Sequence, residues 1–293
     1  MLKFAYIADM QPGSPKSFRY RGAWLENWQT ARKQIIAEKP AFMVIGGDIT
    51  RDGFYNDFEF AEMKESLDSM NIPYHAIPGN MDVGNKVTTV DGPNTKWDDR
   101  QLNLSQNRLK TFENYFGETP WTFTHSNIRI TGFCDMLLGS GLPDEEKLRK
   151  FLVKLGDLPP VEHHFVLTHY AIFINSPEED DFDITKEEEY RDWYFNINKT
   201  HREFLLECFK EAGVTRVLTG HIHCRREFSH DGIVFDYAPS TTFGQYTDKW
   251  SDGDSTPGFY TFKINASEIV QTFIPTKPLS DNKEVFGQAG HVT

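Results

Sequence analysis

The sequence predicts an α/β fold built around a parallel sheet. Apolar runs of strand length alternate with segments whose apolar residues recur at helical spacing, an order typical of parallel strands with helices packed against them. The early strand-like runs each end at an acidic residue, an amide or a glycine-rich turn. The 293 residues contain no internal repeat or clear linker, so we expect one domain over residues 1–275 and a tail over residues 276–293.

The first 80 residues predict three strands and two helices in alternation. We place strands where short apolar runs end in turn residues, and helices where apolar residues recur every three or four positions. In chain order these are a strand over 2–8, a helix over 23–38, a strand over 41–45, a helix over 58–70 and a strand over 74–77. Helical crossovers between strands predict that the strands run parallel.

The same patterns predict three more helices and further strands in the rest of the chain. The helices cover 106–116, 144–155 and 201–212. The strands cover 121–125, 128–133, 165–168, 216–218, 227–229, 234–237, 258–264 and 269–273. The tail is poor in apolar residues, so we expect it to lie outside the core.

Residues 176–198 form an acidic segment with nine acidic residues against only two basic ones. Such a charge imbalance is typical of a solvated surface excursion rather than of a core element. If the segment lies near an active site, we expect it to repel bulky polyanions.

Composition and charge exclude several classes of protein. A net charge of −12 repels polyphosphate backbones at long range, which argues against a nucleic-acid-binding protein. The apolar runs are far shorter than the roughly 18 residues that a membrane-spanning helix needs. The first run, at residues 4–8, is also shorter than the core of a secretory signal. Three scattered cysteines argue against a disulfide framework, so we expect a cytoplasmic protein.

Side chains with metal-binding chemistry follow five of the predicted strands. A single aspartate after a strand is more often a cap or turn residue than a ligand, but recurrence at the carboxyl ends of one sheet would bring these residues together. Carboxylate, amide and imidazole groups without thiolate suit two divalent ions of the Mn, Fe, Zn or Mg type. The candidate ligands are Asp9, Gln11, Asp48, Asn80, His169, His221 and His223.

Glycines immediately before three of these ligands have a mechanical reason. At Gly47, Gly79 and Gly220 the chain must turn sharply and let its backbone approach a metal or a phosphate closely. We assign Asp48 as the carboxylate shared between the ions, because a bridging ligand holds two cations at the roughly 3.5–4 Å needed for phosphoryl chemistry.

The candidate ligands lie in five short motifs that together resemble those of the calcineurin-like metallophosphoesterases. Glutamine in place of histidine in the first motif is similar to the serine/threonine-phosphatase-like branch of that family, as are residues 82–85, 194–197 and 212–214. The motifs are Asp9-x-Gln11, Gly46-Gly47-Asp48, Gly79-Asn80-Met81-Asp82, Thr168-His169 and Gly220-His221-Ile222-His223.

The resemblance implies a four-layer αββα sandwich of two mixed sheets flanked by helices. It also implies that a metal-held hydroxide attacks phosphorus in line, with Asp48, Asn80 and His169 as catalytic residues. The substrate would be a phosphate ester of a small molecule or a protein. In the implied ligand sets, one metal is bound by Asp9, Gln11 and His223, the other by Asn80, His169 and His221, and Asp48 bridges the two.

Met81 departs from the family pattern, which has histidine at this position as phosphate contact and proton donor. A thioether cannot donate a proton, and general acid catalysis is typically worth about 10²–10⁴-fold. Met81 therefore predicts a slow enzyme, a substitute acid such as His125, or a substrate whose leaving group needs no proton. An alternative is a catalytically weak or inactive metal-binding scaffold of the same fold. The seven intact ligand positions favour the enzyme.

Aromatic residues in the loops after the motifs are candidates for lining a substrate pocket, although they would equally stabilise the loops themselves. They are Trp97, Tyr170, Trp193, Tyr194, Tyr246 and Trp250. Asn175 is a further candidate for contact with phosphate.

Overall fold

Two mixed β-sheets face each other, and helices cover their outer surfaces. The computed structural model describes residues 2–87, 100–245, 249–265 and 268–287. The helices are α1 (Gly22–Glu38), α2 (Asp57–Asp68), α3 (Asn80–Val83), α4 (Gln106–Phe116), α5 (Pro143–Lys154), α6 (Glu187–Phe195) and α7 (Lys199–Glu211). The strands are β1 (Leu2–Ile7), β2 (Tyr20–Arg21), β3 (Phe42–Ile45), β4 (Tyr74–Ala76), β5 (Trp121–His125), β6 (Ile128–Gly132), β7 (His163–Thr168), β8 (Arg216–Thr219), β9 (Arg226–His230), β10 (Ile233–Tyr237), β11 (Gly258–Asn265), β12 (Glu268–Pro275) and β13 (Val285–Phe286).

The first sheet has the strand order β12-β11-β1-β3-β4 and the second has the order β5-β6-β7-β8-β10-β9. In the first, β1, β3 and β4 run parallel, while β11 pairs antiparallel with both β1 and β12. In the second, β6, β7, β8 and β10 run parallel, and β5 and β9 are antiparallel edge strands. The parallel pairing predicted for the three strands of the first 80 residues is confirmed, but the expectation that all the candidate ligands follow strands of one sheet was wrong. The two mixed sheets implied by the family resemblance are confirmed.

Alternation along β1 explains the layering. Phe4 and Tyr6 point between the sheets, where they join a buried cluster with Phe165 and Leu167 of β7. The intervening residues face the other way, into a second cluster that includes Trp28 of α1. Because successive side chains of a strand point to opposite faces, a continuous apolar run can be buried on both sides only in such a layered fold.

The acidic segment contains α6, a helix that the sequence analysis did not predict. Its first turn carries three glutamates, while Trp193 and Phe195 near its end are buried. The segment is thus a solvated loop and helix start that ends inside the protein.

The described part of the tail lies along α1 with most of its side chains exposed. The backbone N–H of Ser280 donates to Asn27 Oδ1 (2.7 Å), and the N–H of Gly22 donates to the Glu284 carbonyl (2.9 Å). β13 then pairs antiparallel with β2. Hydrogen bonds rather than apolar burial hold the tail in place.

Candidate metal centre

The seven candidate ligands meet at one edge of the sandwich, where strands of both sheets end. Asp9 and Asp48 follow β1 and β3 of the first sheet, and Asn80 begins α3 shortly after β4. His169 and His221 follow β7 and β8 of the second sheet. Each of the seven side chains is at most 4% exposed. The ligands therefore come from both sheets rather than from the edge of one.

Two overlapping groups of ligand atoms are formed, and Asp48 belongs to both. One group is Asp48, His169 and His221, and the other is Asp9, Asp48 and His223; within each group the ligand atoms lie within 4.8 Å of one another. Asn80 adjoins the first group, because its Oδ1 lies 3.0 Å from His169 Nε2. Gln11 adjoins the second, with its side-chain amide donating to the Asp48 carboxylate.

Left-handed backbone conformations orient the side chains of five of the seven candidate ligands. Positive φ angles of 36° to 66° occur at Asp9, Gln11, Asp48, His221 and His223. Such conformations are uncommon for residues other than glycine and typically cost about 1–3 kcal/mol each, so the surrounding structure must hold them. They turn the chain back as it leaves each strand.

Three hydroxyl groups that the sequence analysis missed hold the Asp9 loop. Ser240 Oγ donates to the Asp9 carbonyl at 2.6 Å, Thr241 Oγ1 to that of Ala8 at 2.8 Å, and Thr242 Oγ1 to that of Met10 at 2.6 Å. All three side chains are fully buried. Their sequence, a Ser-Thr-Thr run after Pro239, gives no signal that separates it from an ordinary loop.

Two buried aspartates outside the candidate ligands hold the neighbouring loops. Asp82 accepts hydrogen bonds from the backbone of Ile49, Thr50 and Gly79, which ties the Asp48 loop to the Asn80 loop. Burial raises the pKa of Asp82 to about 6. Asp135 accepts from the backbone N–H of His169, and burial raises its pKa to about 7. In the sequence, Asp82 is part of a motif but its role in holding the loops is not predicted, and no sequence pattern singles out Asp135.

Hydrogen bonds to carbonyl groups fix the tautomers of two histidines. His169 Nδ1 lies 2.9 Å from the Gly46 carbonyl, and His221 Nε2 lies 2.9 Å from the Tyr194 carbonyl. A carbonyl can only accept, so in the neutral ring these nitrogens carry the proton and the opposite nitrogen is the one that can bind a metal ion.

The electrostatics of the site fit bound cations. Burial and the neighbouring carboxylates of Asp9 and Asp82 raise the pKa of Asp48 well above its usual range. Within the described residues, no lysine or arginine forms an ion pair with Asp9 or Asp48. Two atoms at the site, Gln11 Oε1 and His223 Nδ1, are buried without a hydrogen-bond partner in the described part of the chain. Buried carboxylates and unpaired lone pairs are stable next to a metal ion, so the residues fit a metal centre.

Close backbone approach explains the glycines before the ligands. A Cβ atom at Gly47, where φ is +93°, would lie 2.6 Å from His169 Nδ1, and one at Gly220 would lie 2.8 Å from Asp9 Oδ2. Real Cβ atoms do not approach this closely. Any side chain at these two positions would push the candidate ligands apart, so the close approach in the structure is to the ligands themselves.

The pocket over the centre is lined by candidate ligands and by the end of the acidic segment. Tyr194 and Phe195 of α6 lie beside Asp48, Asn80 and His221 in its wall. Gln245, also in the wall, was not predicted, and its side-chain nitrogen is buried with no partner among the described residues.

Three further aromatic candidates, Tyr170, Trp193 and Trp250, lie around this pocket rather than in its wall. Tyr170 packs on His221 with ring centroids 4.2 Å apart, and Trp250 packs on Phe195 at 5.3 Å. Trp193 lies under the ammonium of Lys86, 4.0 Å from its ring centroid. Trp97 and Tyr246 lie outside the described residues.

His125 and Asn175 do not reach the centre. His125 is exposed at the end of β5, and its ring centroid lies 6.4 Å from that of Phe42, the first residue of β3, whereas the centre lies beyond the last residue of β3. It therefore occupies the opposite end of the sandwich and is not the substitute acid. Asn175 is exposed, and its backbone N–H bonds to Glu179.

Comparison with known proteins agrees with this geometry. The family model for calcineurin-like phosphoesterases matches residues 2–225. The chain belongs to the calcineurin-like phosphoesterase family. A relative from Danio rerio, the serine/threonine-protein phosphatase CPPED1, is 26% identical over 300 residues, which cover 95% of this chain and 86% of the relative. The human protein of that name is 23% identical over 252 residues, covering 83% of this chain and 70% of its own. The predicted enzyme class, phosphoric ester hydrolase, is confirmed by this family.

Solved structures confirm the predicted fold. A purple acid phosphatase from yellow lupin superposes with a TM-score of 0.62 at 13% identity, covering 97% of this chain and 53% of that one. A dimetal phosphatase from Danio rerio superposes with a TM-score of 0.56 at 12% identity, covering 94% and 96% of the two chains. In the described residues, no helix is both long enough and apolar enough to cross a membrane.

Proposed function

We propose that this chain hydrolyses phosphate esters, of small molecules or of proteins, at a centre that binds two divalent metal ions. The observation that carries the proposal is the convergence of seven buried ligand-type side chains: five form two groups that share Asp48, and Asn80 and Gln11 lie beside these groups. Asp9, Gln11 and His223 would hold one ion, and Asn80, His169 and His221 the other. A single carboxylate common to two groups is the arrangement expected of a binuclear phosphoesterase.

Two bound ions of the Mn, Fe, Zn or Mg type would supply Lewis-acid polarisation of the phosphoryl oxygens and activation of a water for in-line attack on phosphorus. The protein's own part is orientation. Gly46 fixes the ring of His169, while the Asp82 carboxylate joins the loops that carry Asp48 and Asn80. Preorganised side chains of this kind need no rearrangement during the reaction.

Met81 stands where the family pattern has a histidine that donates a proton to the leaving group. Met81 is 5% exposed, its backbone N–H donates to Asp48 Oδ1 (2.8 Å), and its sulfur lies 3.6 Å from Asn80 Nδ2. It thus occupies the position next to Asn80 without a transferable proton. We infer a preference for substrates whose leaving group is stable as an anion.

The proposal also covers the limits of the catalytic domain and the location of the protein in the cell. We propose one catalytic domain over residues 1–275, with 176–198 as an acidic part of it, followed by the tail at 276–293. A cytoplasmic location is supported by three buried cysteines, all within the described residues, that form no disulfide: Cys134, Cys208 and Cys224.

Hydrolysis of p-nitrophenyl phosphate, its bis ester and a phosphopeptide tests the function. We expect activity with added Mn²⁺, loss of activity with chelator, and a loss of at least about 10²-fold in Asp48→Asn, because the variant removes the shared carboxylate. Asp68→Asn, an exposed aspartate on α2, is the matched control and should retain full activity. Activity that survives both chelator and Asp48→Asn would contradict the metal mechanism. Two bound ions without hydrolysis would instead favour the scaffold alternative.

A further inference from the structure

The end of α6 contacts two candidate ligands of the same group from outside the centre. The side-chain nitrogen of Asn80 donates to the Tyr194 hydroxyl at 2.8 Å and to Asn85 Oδ1 at 3.0 Å. An amide has one oxygen and one NH₂ group. Because both acceptors engage the NH₂ group, the oxygen of Asn80 is turned toward His169 and the centre.

Tyr194 also holds His221 through its backbone. The carbonyl of Tyr194 accepts the proton on His221 Nε2 at 2.9 Å, and the two rings lie 5.0 Å apart. With Nε2 protonated, only Nδ1 of His221 is left to bind an ion. One residue therefore sets the orientation of an amide ligand and the tautomer of an imidazole ligand.

A buried lysine anchors this end of the helix. Lys86 is 7% exposed, and its ammonium donates to the carbonyls of Trp193 and Asn196 and to Asn198 Oδ1. A cation at the last carbonyls of a helix also interacts favourably with the helix dipole. Lys86 lies three residues after the end of α3, the short helix that Asn80 begins, so the lysine and the candidate ligand are close in the chain.

A second tie joins the same stretch to the loop of His169. The Ala171 N–H donates to the Phe195 carbonyl at 3.1 Å, and the Ile197 N–H donates to the Ala171 carbonyl at 2.9 Å. Residues 193–198, which we term the α6 clamp, are thus bonded to the loops of all three ligands of one group. In the described part of the chain, Asp9, Gln11 and His223 form no hydrogen bond with the α6 clamp.

We propose that the α6 clamp is a positioning device for one metal site only, the site of Asn80, His169 and His221. Order in the α6 clamp and affinity of that site are coupled, so that either one stabilises the other. The inference rests on the proposed two-metal centre. It assigns Tyr194 and Lys86 as positioning residues and gives the acidic segment a part in metal binding.

Mn²⁺ titration followed by electron paramagnetic resonance tests the coupling without any assay of activity. In the wild type we expect two bound ions. In Tyr194→Phe and Lys86→Met we expect the Kd of one ion to rise by about 10- to 100-fold, which is the usual effect of removing a group that orients a ligand. The Kd of the other ion should change by less than about 3-fold.

Two matched controls remove a tyrosine hydroxyl and a lysine ammonium at residues outside the α6 clamp. Tyr190→Phe removes a phenol hydroxyl one turn earlier on α6. Lys199→Met removes a lysine whose partner, Asp180 at 2.6 Å, is exposed. Both controls should bind two ions with wild-type affinity. Hydrogen exchange of residues 187–198 should slow when Mn²⁺ is added to the wild type, and slow less in Lys86→Met.

The outcomes separate the α6 clamp from the function on which it rests. Fewer than two ions bound to the wild type would refute the two-metal centre itself. Two ions bound to the wild type, with unchanged Kd values in both clamp variants or equal weakening at both sites, would refute the α6 clamp alone. Tyr194→Phe keeps the packed ring, so it provides the test even if Lys86→Met fails to fold.

Discussion

At the scale of single residues, the centre depends on backbone conformations as much as on side-chain chemistry. Five candidate ligands have positive φ angles. Aspartate and histidine are among the few residues besides glycine that adopt this conformation with some frequency, which reconciles ligand chemistry with a sharp turn. The identity of these residues at strand ends was predictable from sequence. Their φ angles were not, because contacts distant in the chain hold these loops; the hydroxyls of residues 240–242, for example, hold the Asp9 loop.

Met81→His should restore a proton donor next to Asn80. We expect turnover of an alkyl phosphate to rise by about 10-fold or more, whereas turnover of an aryl phosphate should rise much less, because a phenolate leaves without protonation. Steady-state kinetics on phenyl-type and alkyl phosphates measure the ratio. Met81→Gln, polar but not acidic, is the control. Equal gains in turnover on both substrates would show that the missing proton donor does not limit the wild-type enzyme.

His164 should make the protein less stable in mild acid. Its ring is fully buried between the Thr131 hydroxyl (2.9 Å) and the Ala212 carbonyl (3.1 Å), and burial lowers its pKa to about 4. Between pH 6.5 and 4 the unfolded chain therefore binds a proton that the folded chain does not, so stability falls as pH falls. At roughly 1.4 kcal/mol per pH unit, the loss from pH 6.5 to 4.5 is about 2–3 kcal/mol.

Urea unfolding in chelator at pH 7.0 and 4.5 measures this effect. His164→Asn should be less stable than the wild type at pH 7.0, because it packs less well, and should lose about 2 kcal/mol less on acidification. His125→Asn, at an exposed position, should follow the wild type at both pH values. Parallel pH dependence in His164→Asn and the wild type would count against a neutral buried His164.

At the scale of elements, α6 shows why a sequence pattern can mislead. Its glutamate-rich start resembles a solvated loop, and distant residues such as Lys86 and Trp250 pack on its buried residues. The other long helices were predicted to within about two residues at each end, because each has its own apolar stripe and recognisable ends. Local pattern suffices where an element packs by its own periodicity, and fails where partners from elsewhere complete it.

The exposed start of α6 should repel multiply charged substrates. Because shortening the acidic segment would also remove Tyr194, substitution is the cleaner test. In the double variant Glu187→Gln/Glu188→Gln we expect kcat/KM for a multiply phosphorylated substrate to rise about 2- to 5-fold at low salt. The gain should vanish near 0.5 M salt, where charges are screened within a few ångströms.

A matched control makes the same charge change on another helix. Glu65→Gln/Asp68→Asn on α2 should leave kcat/KM unchanged for every substrate. An identical gain in both double variants would assign the effect to net charge rather than to the acidic segment.

At the scale of the whole molecule, metal binding should set thermal stability. A ligand that binds only the folded state at about 100 times its Kd contributes about 2.7 kcal/mol, which corresponds to roughly 5 °C in Tm for a protein of this size. We therefore expect Mn²⁺ to raise the Tm of the wild type, and chelator to lower it, in differential scanning calorimetry.

Asp48→Asn should reverse the order of stability. Without metal, the variant removes a buried charge that Asp9 repels, so its Tm should equal or exceed that of the wild type in chelator. With Mn²⁺ the wild type should be the more stable, since the variant lacks the shared carboxylate. Asp68→Asn should respond to Mn²⁺ like the wild type. A Tm of Asp48→Asn below that of the wild type in both conditions would contradict the electrostatic argument.

The division of ligands between the two sheets has a mechanical consequence. Asp9 and Asp48 belong to loops of the first sheet, whereas His169, His221 and His223 belong to loops of the second, and each group takes members from both. An ion bound in either group would therefore cross-link the two layers of the sandwich. Separating the sheets under force would then require rupture of coordinate bonds as well as loss of apolar contact. The metal-bound protein would therefore withstand a higher pulling force than the metal-free protein.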